Sequence, residues 1–534
     1  MIRKDFRNAT RSARGDNRRF EGSGEEAEAP RTSSTGTFLF ATGEQWQWSV
    51  LAGTAAAALA APFYLQVSPW IGAAIAIMGI LACHMAFTFR SFPPWPHLVG
   101  IFAGIQMVLM AWLGWYYPAN SEKDIGQRTS IYLAYAGPSW IAYVFGWFAA
   151  LAKLPRRRTG ETEQGPGSRL GTRWFLDTCI VAGIGCLVVG RSLDISALNF
   201  ALVLFANLRF VGGAGWLILR ARGWQWRLGT LLFLEIASAT GTAMFGDLAM
   251  WSLALLPLYL YRSSLRPRAV FALLLLCCVA FVAMDSAKMR FRETAESGAV
   301  EPISLFGLNL HQAGMARPVV WLLYVADASL RTVTFQLSAE EISHLVERQS
   351  HGWIVNQVML RVPQVEPYAK GDTIRTALES AILPRFLAPD KFRAGGEYFE
   401  RFTGMSLMEQ DTGKRSVSMN LGFSGEFYAN FGKLGGILAS GVFGLLSGLT
   451  LRWFYRKSLG SVLWLTFFPF VFLWGFKAEE GISEILNWLV KASFVVAAVV
   501  AVSPVRHELL TGRRVKKQRS GQRRGNTIIT ALKP

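Results

Sequence analysis

The chain has 534 residues, of which 51% are hydrophobic and 17% charged, with a formal net charge of +19. Positive mean hydropathy together with so little charge excludes an ordinary soluble domain of this size. The basic excess sits in the tails and short loops with no recognised nucleic-acid module beside it, which excludes nucleic acid as the partner. It fits cytoplasmic topology signals or contacts to anionic membrane lipid.

Residues 1–47 are polar and biased and lack the apolar core of a signal peptide, which predicts a disordered cytoplasmic tail. Apolar runs then recur at about 17–25 residues, the length that crosses roughly 30 Å of hydrocarbon. They lie near 48–65, 69–88, 97–117, 131–152, 174–190, 197–219, 229–244, 247–261, 268–285, 431–453, 461–476 and 484–503. A transmembrane β-barrel would show short alternating segments instead. The run from 229 to 261 is too long for one helix and is split at "MFGDLAM", where Gly246 and Asp247 mark a turn. Cys83, Cys179, Cys186, Cys277 and Cys278 all fall inside apolar runs without metal-site spacing and read as packing residues.

Loop charge orients these spans. With the N-terminus inside, "KLPRRRTGETEQGPGSRLGTR", "RARGWQWR", "RSSLRPR", "RWFYRKSLG" and the C-terminal tail all face the cytoplasm, as the positive-inside rule requires. The outer loops "PANSEKDIGQRTS" and "KAEEGISE" are mixed or acidic. The expected fold is an all-α polytopic membrane protein with about twelve transmembrane helices and one large, partly helical outward-facing loop. Residues 1–47 form the first tail, and 48–285 an N-terminal bundle of about nine spans. Residues 286–430 form the outer loop, 431–503 about three further spans, and 504–534 a basic cytoplasmic tail. No internal repeat of the kind found in many transporters is visible.

The outer loop is neither low-complexity nor uniformly polar, so it is expected to fold. Within it, "SAEEISHLVERQSHGWIVNQVMLRV" predicts one helix opened by a capping box of Ser338 and Glu341 and closed by Pro363. On that helix His344, Arg348 and His351 share a face. The face is either solvated or a contact for a polar ligand, with Arg348 suited to an anion. The histidines stand about 10.5 Å apart along the axis, too far for one metal ion, and neither metal nor cofactor is expected. A second helix is predicted over "TIRTALESAI". Pro384 and Pro389 then stiffen "LPRFLAPDKFR", so Arg385, Lys391 and Arg393 either hold a diphosphate or pair with Asp390 and Glu397 in a surface turn.

Downstream, "GEYFERFTG" and "DTGKRSVSMNLGFSGEFYANFGKLGG" mix Tyr398, Tyr428, Asn420 and Asn430 with carboxylates. Aromatic faces beside amides suit sugar rings, while aromatics at a membrane interface need no ligand. Partial burial of Glu426 just before a span would raise its proton affinity towards that of a general base. Inside the membrane, Arg209 and Glu235 form either a structural ion pair or a polar path for a lipid head group.

The order "VERQSHGWIVNQV", "VEPYAKGDTI", "ILPRFLAPDKF", "GEYFERFTG" and "GEFYANFGKLGG", over about residues 340 to 445, resembles the bacterial O-antigen polymerase family, also described as oligosaccharide repeat-unit polymerases. The resemblance implies a metal-independent glycosyltransferase of the bacterial inner membrane, with both termini cytoplasmic. It would join repeat units carried on undecaprenyl diphosphate into a surface or extracellular polysaccharide. A flippase and a chain-length regulator are the implied protein partners, alongside membrane lipid. On this reading Arg385, Lys391 and Arg393 neutralise the leaving diphosphate with Arg348 as a second clamp. Glu426 takes the proton of the attacking hydroxyl, with Asp411 and Glu397 as further acidic candidates, and Tyr398, Tyr428 and Asn430 contact sugar. The competing expectations are a glycan ligase or other lipid-dependent glycosyltransferase, and a non-enzymatic flippase or exporter of lipid-linked glycans.

Overall fold

The computed structural model describes residues 68–116, 129–152, 154, 169–192, 196–242, 245–297, 303–305, 308–310, 315, 317–382, 396–407 and 419–511. The N-terminal tail, the first predicted span and most of the C-terminal tail lie outside the described residues.

Runs of apolar side chains become helices here because, in hydrocarbon, every backbone N–H and C=O must be satisfied within its own segment. Helix α1 covers Pro69–Thr88. Helix α2, Trp95–Gly104, continues through a π-helical turn, Ile105–Leu109, into α3, Met110–Tyr116. There follow α4 (Thr129–Leu151), α5 (Arg169–Ser192), α6 (Ser196–Ala206), α7 (Leu208–Leu219) and α8 (Trp224–Thr242). Next come α9 (Gly246–Arg262) and α10 (Pro267–Ser297), separated from α8 at the turn expected from Gly246 and Asp247. Among the described residues seven helices are long and apolar enough to cross a membrane. The protein is therefore an α-helical, membrane-embedded one. Side chains such as Leu434 and Leu438, 77% and 71% exposed in the isolated chain, then face lipid rather than water.

The run 197–219 keeps its place as a candidate span, Phe200–Leu219, with a turn at Asn207 dividing it into α6 and α7. The expectation for the next-to-last run changes. The run 461–476 is no continuous span. After α16 (Gly422–Ser458) it forms only the eight-residue α17, Trp464–Val471, and a 3-10 turn, Leu473–Phe476. Eight residues rise about 12 Å, well short of the hydrocarbon core. Its hydropathy has another cause: Phe468 packs on Trp95 with ring centroids 4.7 Å apart, and Phe472 meets Trp147 at 5.4 Å. This is core, not lipid-facing surface. The chain closes with α18 (Ile482–Val502) and the short α19 (Arg506–Thr511).

Helices α4 and α16 approach closely enough that small residues are required between them. A Cβ on Gly444 would land on the carbonyl oxygen of Tyr143, and one on Gly448 would lie 2.7 Å from the carbonyl oxygen of Trp147. Gly444→Val should therefore lower stability by about 1–3 kcal/mol. The check is thermal unfolding of the detergent-solubilised protein, and an unchanged midpoint would refute the close contact.

Helix α10 runs unbroken to Ser297, beyond the apolar run expected to end at 285. Beyond it a small hairpin pairs β1 (Ile303–Leu305) with β2 (Leu308–Leu310). Helix α11 (Arg317–Val333) then returns along α10, carrying Asp327 to Arg290 at 2.7 Å and Arg331 to Glu341 at 2.7 Å. Glu341 opens α12 (Ala339–Gln349) in the expected capping box with Ser338. Burial pushes the Glu341 carboxyl up, but the Ser286 hydroxyl, the Ser338 N–H and Arg331 outweigh it and hold it below its usual range. The predicted single helix breaks at Ser350, and α13 begins at Gly352 (Gly352–Arg361). Helices α14 (Asp372–Ile382) and α15 (Gly396–Thr403) follow.

Candidate functional site

A cavity of about 1390 Å³ opens among α1, α2, α9, α10, α12 and the segment before α18. Its wall changes character along α10. Leu274, Cys277, Phe281 and Val282 line it first, then Asp285 and Lys288. From Leu274 to Lys288 the helix rises about 21 Å, so one end of the cavity is greasy and the other charged. Helices α1 and α9 add only apolar or small groups, among them Met78, Ala82, Met250 and Leu253. The charged end gathers His344, Arg348, His351, Asn420, Lys477 and Glu480 with others.

Arg348 is held there by Asp285, Nε to Oδ1 3.1 Å, and His344 stands 3.8 Å from the same carboxylate. The other oxygen of Asp285 is buried without a hydrogen-bond partner. His351 does not share the face of His344 and Arg348, because the helix break turns it into the core. Its Nε2 lies 2.6 Å from the carbonyl oxygen of Leu421, so that nitrogen must carry the proton and donate. Burial pushes its pKa below the ordinary histidine value. All three side chains still border the same cavity, reached from two helices rather than one.

The acidic segment before α18 supplies residues that sequence reasoning missed. Lys477 Nζ reaches Glu479 at 3.1 Å and Glu480 at 3.5 Å, and Asn420 donates to Glu480 Oε2 at 3.0 Å. Burial, joined by the charges of Glu479 and Glu484, raises Glu480 to about 7 against the opposing pull of Lys477 and Asn420. Its neighbours keep Lys477 protonated, since burial alone would lower its affinity and the carboxylates more than offset that. The signal available in the sequence was three glutamates and a lysine crowded against the start of an apolar span.

Glu426 lies behind this wall and does not border the cavity. It is buried in the first turns of α16, where Thr373 donates to Oε1 at 2.8 Å and the Ile482 N–H donates to Oε2 at 2.8 Å. Gly481 stands between: a Cβ there would meet both Glu484 Oε2, at 2.5 Å, and Glu426 Oε2, at 3.3 Å. With both oxygens committed, Glu426 ties α14 and α16 to the N-terminus of α18. Glu426 thus stands as a tie between three helices, away from the cavity.

Asn430 is likewise spent inside the protein. Its amide donates to Thr373 and to the Glu426 carbonyl at 2.7 Å each, and accepts from the Gly371 N–H at 2.9 Å. That leaves little for a sugar. Just beyond, Gly432 takes φ +68° and breaks α16, a backbone state that glycine adopts without strain. Tyr428 is buried with its ring 5.2 Å from Tyr135 and 6.4 Å from Tyr368. Tyr398 is buried on α15, and burial raises its pKa, while its neighbour Glu397 is exposed. Arg385, Lys391, Arg393 and Asp411 lie outside the described residues.

Within the bundle Arg209 and Glu235 meet at 2.7 Å, both buried. Neither borders the cavity, which favours the structural pair over a polar path. Lys491 places its ammonium 4.2 Å from the centre of the Phe200 ring. Compared with models of protein families, with characterised proteins and with solved structures, the chain matches none.

Proposed function

We propose that the protein is a glycosyltransferase that polymerises oligosaccharide repeat units carried on undecaprenyl diphosphate, at the outer face of a bacterial inner membrane. About twelve spans with both termini in the cytoplasm belong to this proposal, since they follow from the positive-inside rule. One observation carries it: a single cavity with an apolar end among the spans and a charged end holding Arg348 and Lys288. An isoprenoid chain suits the first and a diphosphate the second.

The chemistry follows from those parts. Arg348, and in this reading Arg385, Lys391 and Arg393, neutralise charge as the diphosphate departs. The acceptor hydroxyl of one repeat unit attacks the anomeric carbon of the other, and a carboxylate receives the hydroxyl proton.

The test is incubation of the purified protein with undecaprenyl-diphosphate-linked repeat units extracted from its own host, resolved by size. A ladder is expected. Arg348→Ala should reduce its rate about 10- to 100-fold, the effect of losing one charge-assisted contact, and Arg348→Lys should recover part of it. Substrate that binds but stays unpolymerised would overturn the reading. A single transfer to a different acceptor would replace it with ligation.

A further inference from the structure

We propose that helix α11 lies in the bilayer, with the stripe of Val319, Leu322, Ala326, Leu330 and Val333 against lipid acyl chains. The proposal needs only that the protein is membrane-embedded, so it stands apart from the glycosyl-transfer reading.

The first ground is how polarity is distributed around α11. At about 100° per residue, the five positions fall within about 80° of one another. Val319, Leu322, Ala326 and Val333 are exposed and Leu330 is half-buried, so the stripe faces away from the protein. No charged residue stands on it. Asp327 and Arg331 turn the other way, Asp327 to Arg290 at 2.7 Å and Arg331 to Glu341 at 2.7 Å. A helix at a water surface does the reverse, with its apolar stripe inward and its charges outward. A helix in lipid turns its ionisable groups towards the protein, where they pair. Hydropathy alone passes over α11, because Arg317, Asp327 and Arg331 dilute it, and it is not among the seven candidate spans.

The second ground is where α11 lies. It runs antiparallel to α10. Trp321 stacks on Phe245 with ring centroids 3.8 Å apart and meets Phe291 at 6.0 Å, whereas Arg331, further along, reaches Ser286 Oγ at 3.4 Å. The part of α10 apolar enough to cross a membrane extends from Pro267 to Phe291. From Trp321 onward α11 is therefore level with that part, and Leu232 and Ile236 of α8 pack into the same cluster. Phe233 of α8 and Leu275 and Leu276 of α10 are exposed apolar side chains. Lipid thus reaches both helices on which α11 packs.

The third ground is hydrogen bonding. Ser329 donates to the carbonyl oxygen of Val325 at 2.6 Å, Thr332 to that of Ala328 at 2.7 Å, and Thr334 to that of Leu330 at 2.9 Å. Where the helix ends, the Gln336 N–H returns to the Arg331 carbonyl oxygen at 2.8 Å. Polar groups satisfied within their own helix need no water, as hydrocarbon requires.

The arrangement bears on the cavity. Glu341, which holds Arg331, caps α12, and α12 carries His344 and Arg348 to the charged end. A helix seated in lipid therefore sets the height of that end relative to the membrane surface.

The experiment replaces Leu322 by p-benzoylphenylalanine, whose excited ketone inserts into nearby C–H bonds. The full chain is reconstituted in vesicles of phosphatidylethanolamine and phosphatidylglycerol, irradiated, and its mass measured intact and after proteolysis. Leu438 of α16, on the lipid-facing surface, receives the same replacement as the positive control. Adducts of phospholipid mass at Leu322, as abundant as at Leu438, are expected. No adduct at Leu322 beside a reacting Leu438 would mean that water faces the stripe, and would overturn the proposal. Cross-linked peptides from this chain or from a second copy, without lipid adducts, would mean that protein covers the stripe, and would overturn it too. Val333 takes the same replacement and the same reading if the Leu322 variant does not fold.

Discussion

Replacing Arg209 by leucine should cost about 3–5 kcal/mol of stability, and so should replacing Glu235 by leucine, whereas the double replacement should cost far less than their sum. Arg209 Nη2 meets Glu235 Oε2 at 2.7 Å with side-chain exposures of only 6% and 5%. Its other nitrogen donates to the carbonyl oxygen of Ala206 at 2.7 Å, and the guanidinium lies 4.4 Å from the centre of the Phe210 ring. Removing either partner strands the other in a low-dielectric interior, where an isolated charge is far costlier than the pair. Removing both leaves two apolar side chains of tolerable size. A double-mutant cycle on unfolding in detergent measures the coupling. Purely additive single effects would show that each group is held by something other than its partner.

This pair also marks how far sequence carries. That two opposite charges on neighbouring spans would meet followed from their depth, but whether they lined a path required knowing where the cavity is. The capping box of Ser338 and Glu341 was legible because its bonds join residues three apart in the chain. The span map was mostly legible because hydropathy is local. It failed at 461–476, since hydropathy does not distinguish a helix bathed in lipid from one packed in aromatic rings. The helix break at Ser350 was invisible for a similar reason. His351 is drawn away by Leu421, 70 residues later, and its N–H by the Gln106 carbonyl. Arg348 was singled out by residue type, and the structure places it on the cavity wall. The place of Glu480 on the same wall was not legible, because it depends on Asn420, 60 residues upstream, and on helices scattered along the chain.

Glu426→Ala should cost about 4 kcal/mol, taking about 2 kcal/mol for each buried donor that it strands. Those donors are the Thr373 hydroxyl and the Ile482 N–H. The loss spreads, because Thr373 also accepts from Asn430, and Asn430 accepts from the Gly371 N–H. Helices α14, α16 and α18 therefore loosen together, and the wall that carries Glu480 and Glu484 loosens with them. Glutamine in place of Glu426 keeps an acceptor for one donor and nearly the same volume, so Glu426→Gln should cost about half as much. It should keep at least a tenth of the polymerising rate, since a positioning group is needed for its shape and acceptor rather than for its basicity. Melting temperature and ladder formation, read on the same preparations, separate the two roles. If Glu426→Gln melts like the wild type yet makes no ladder over the whole pH range, Glu426 is the base after all.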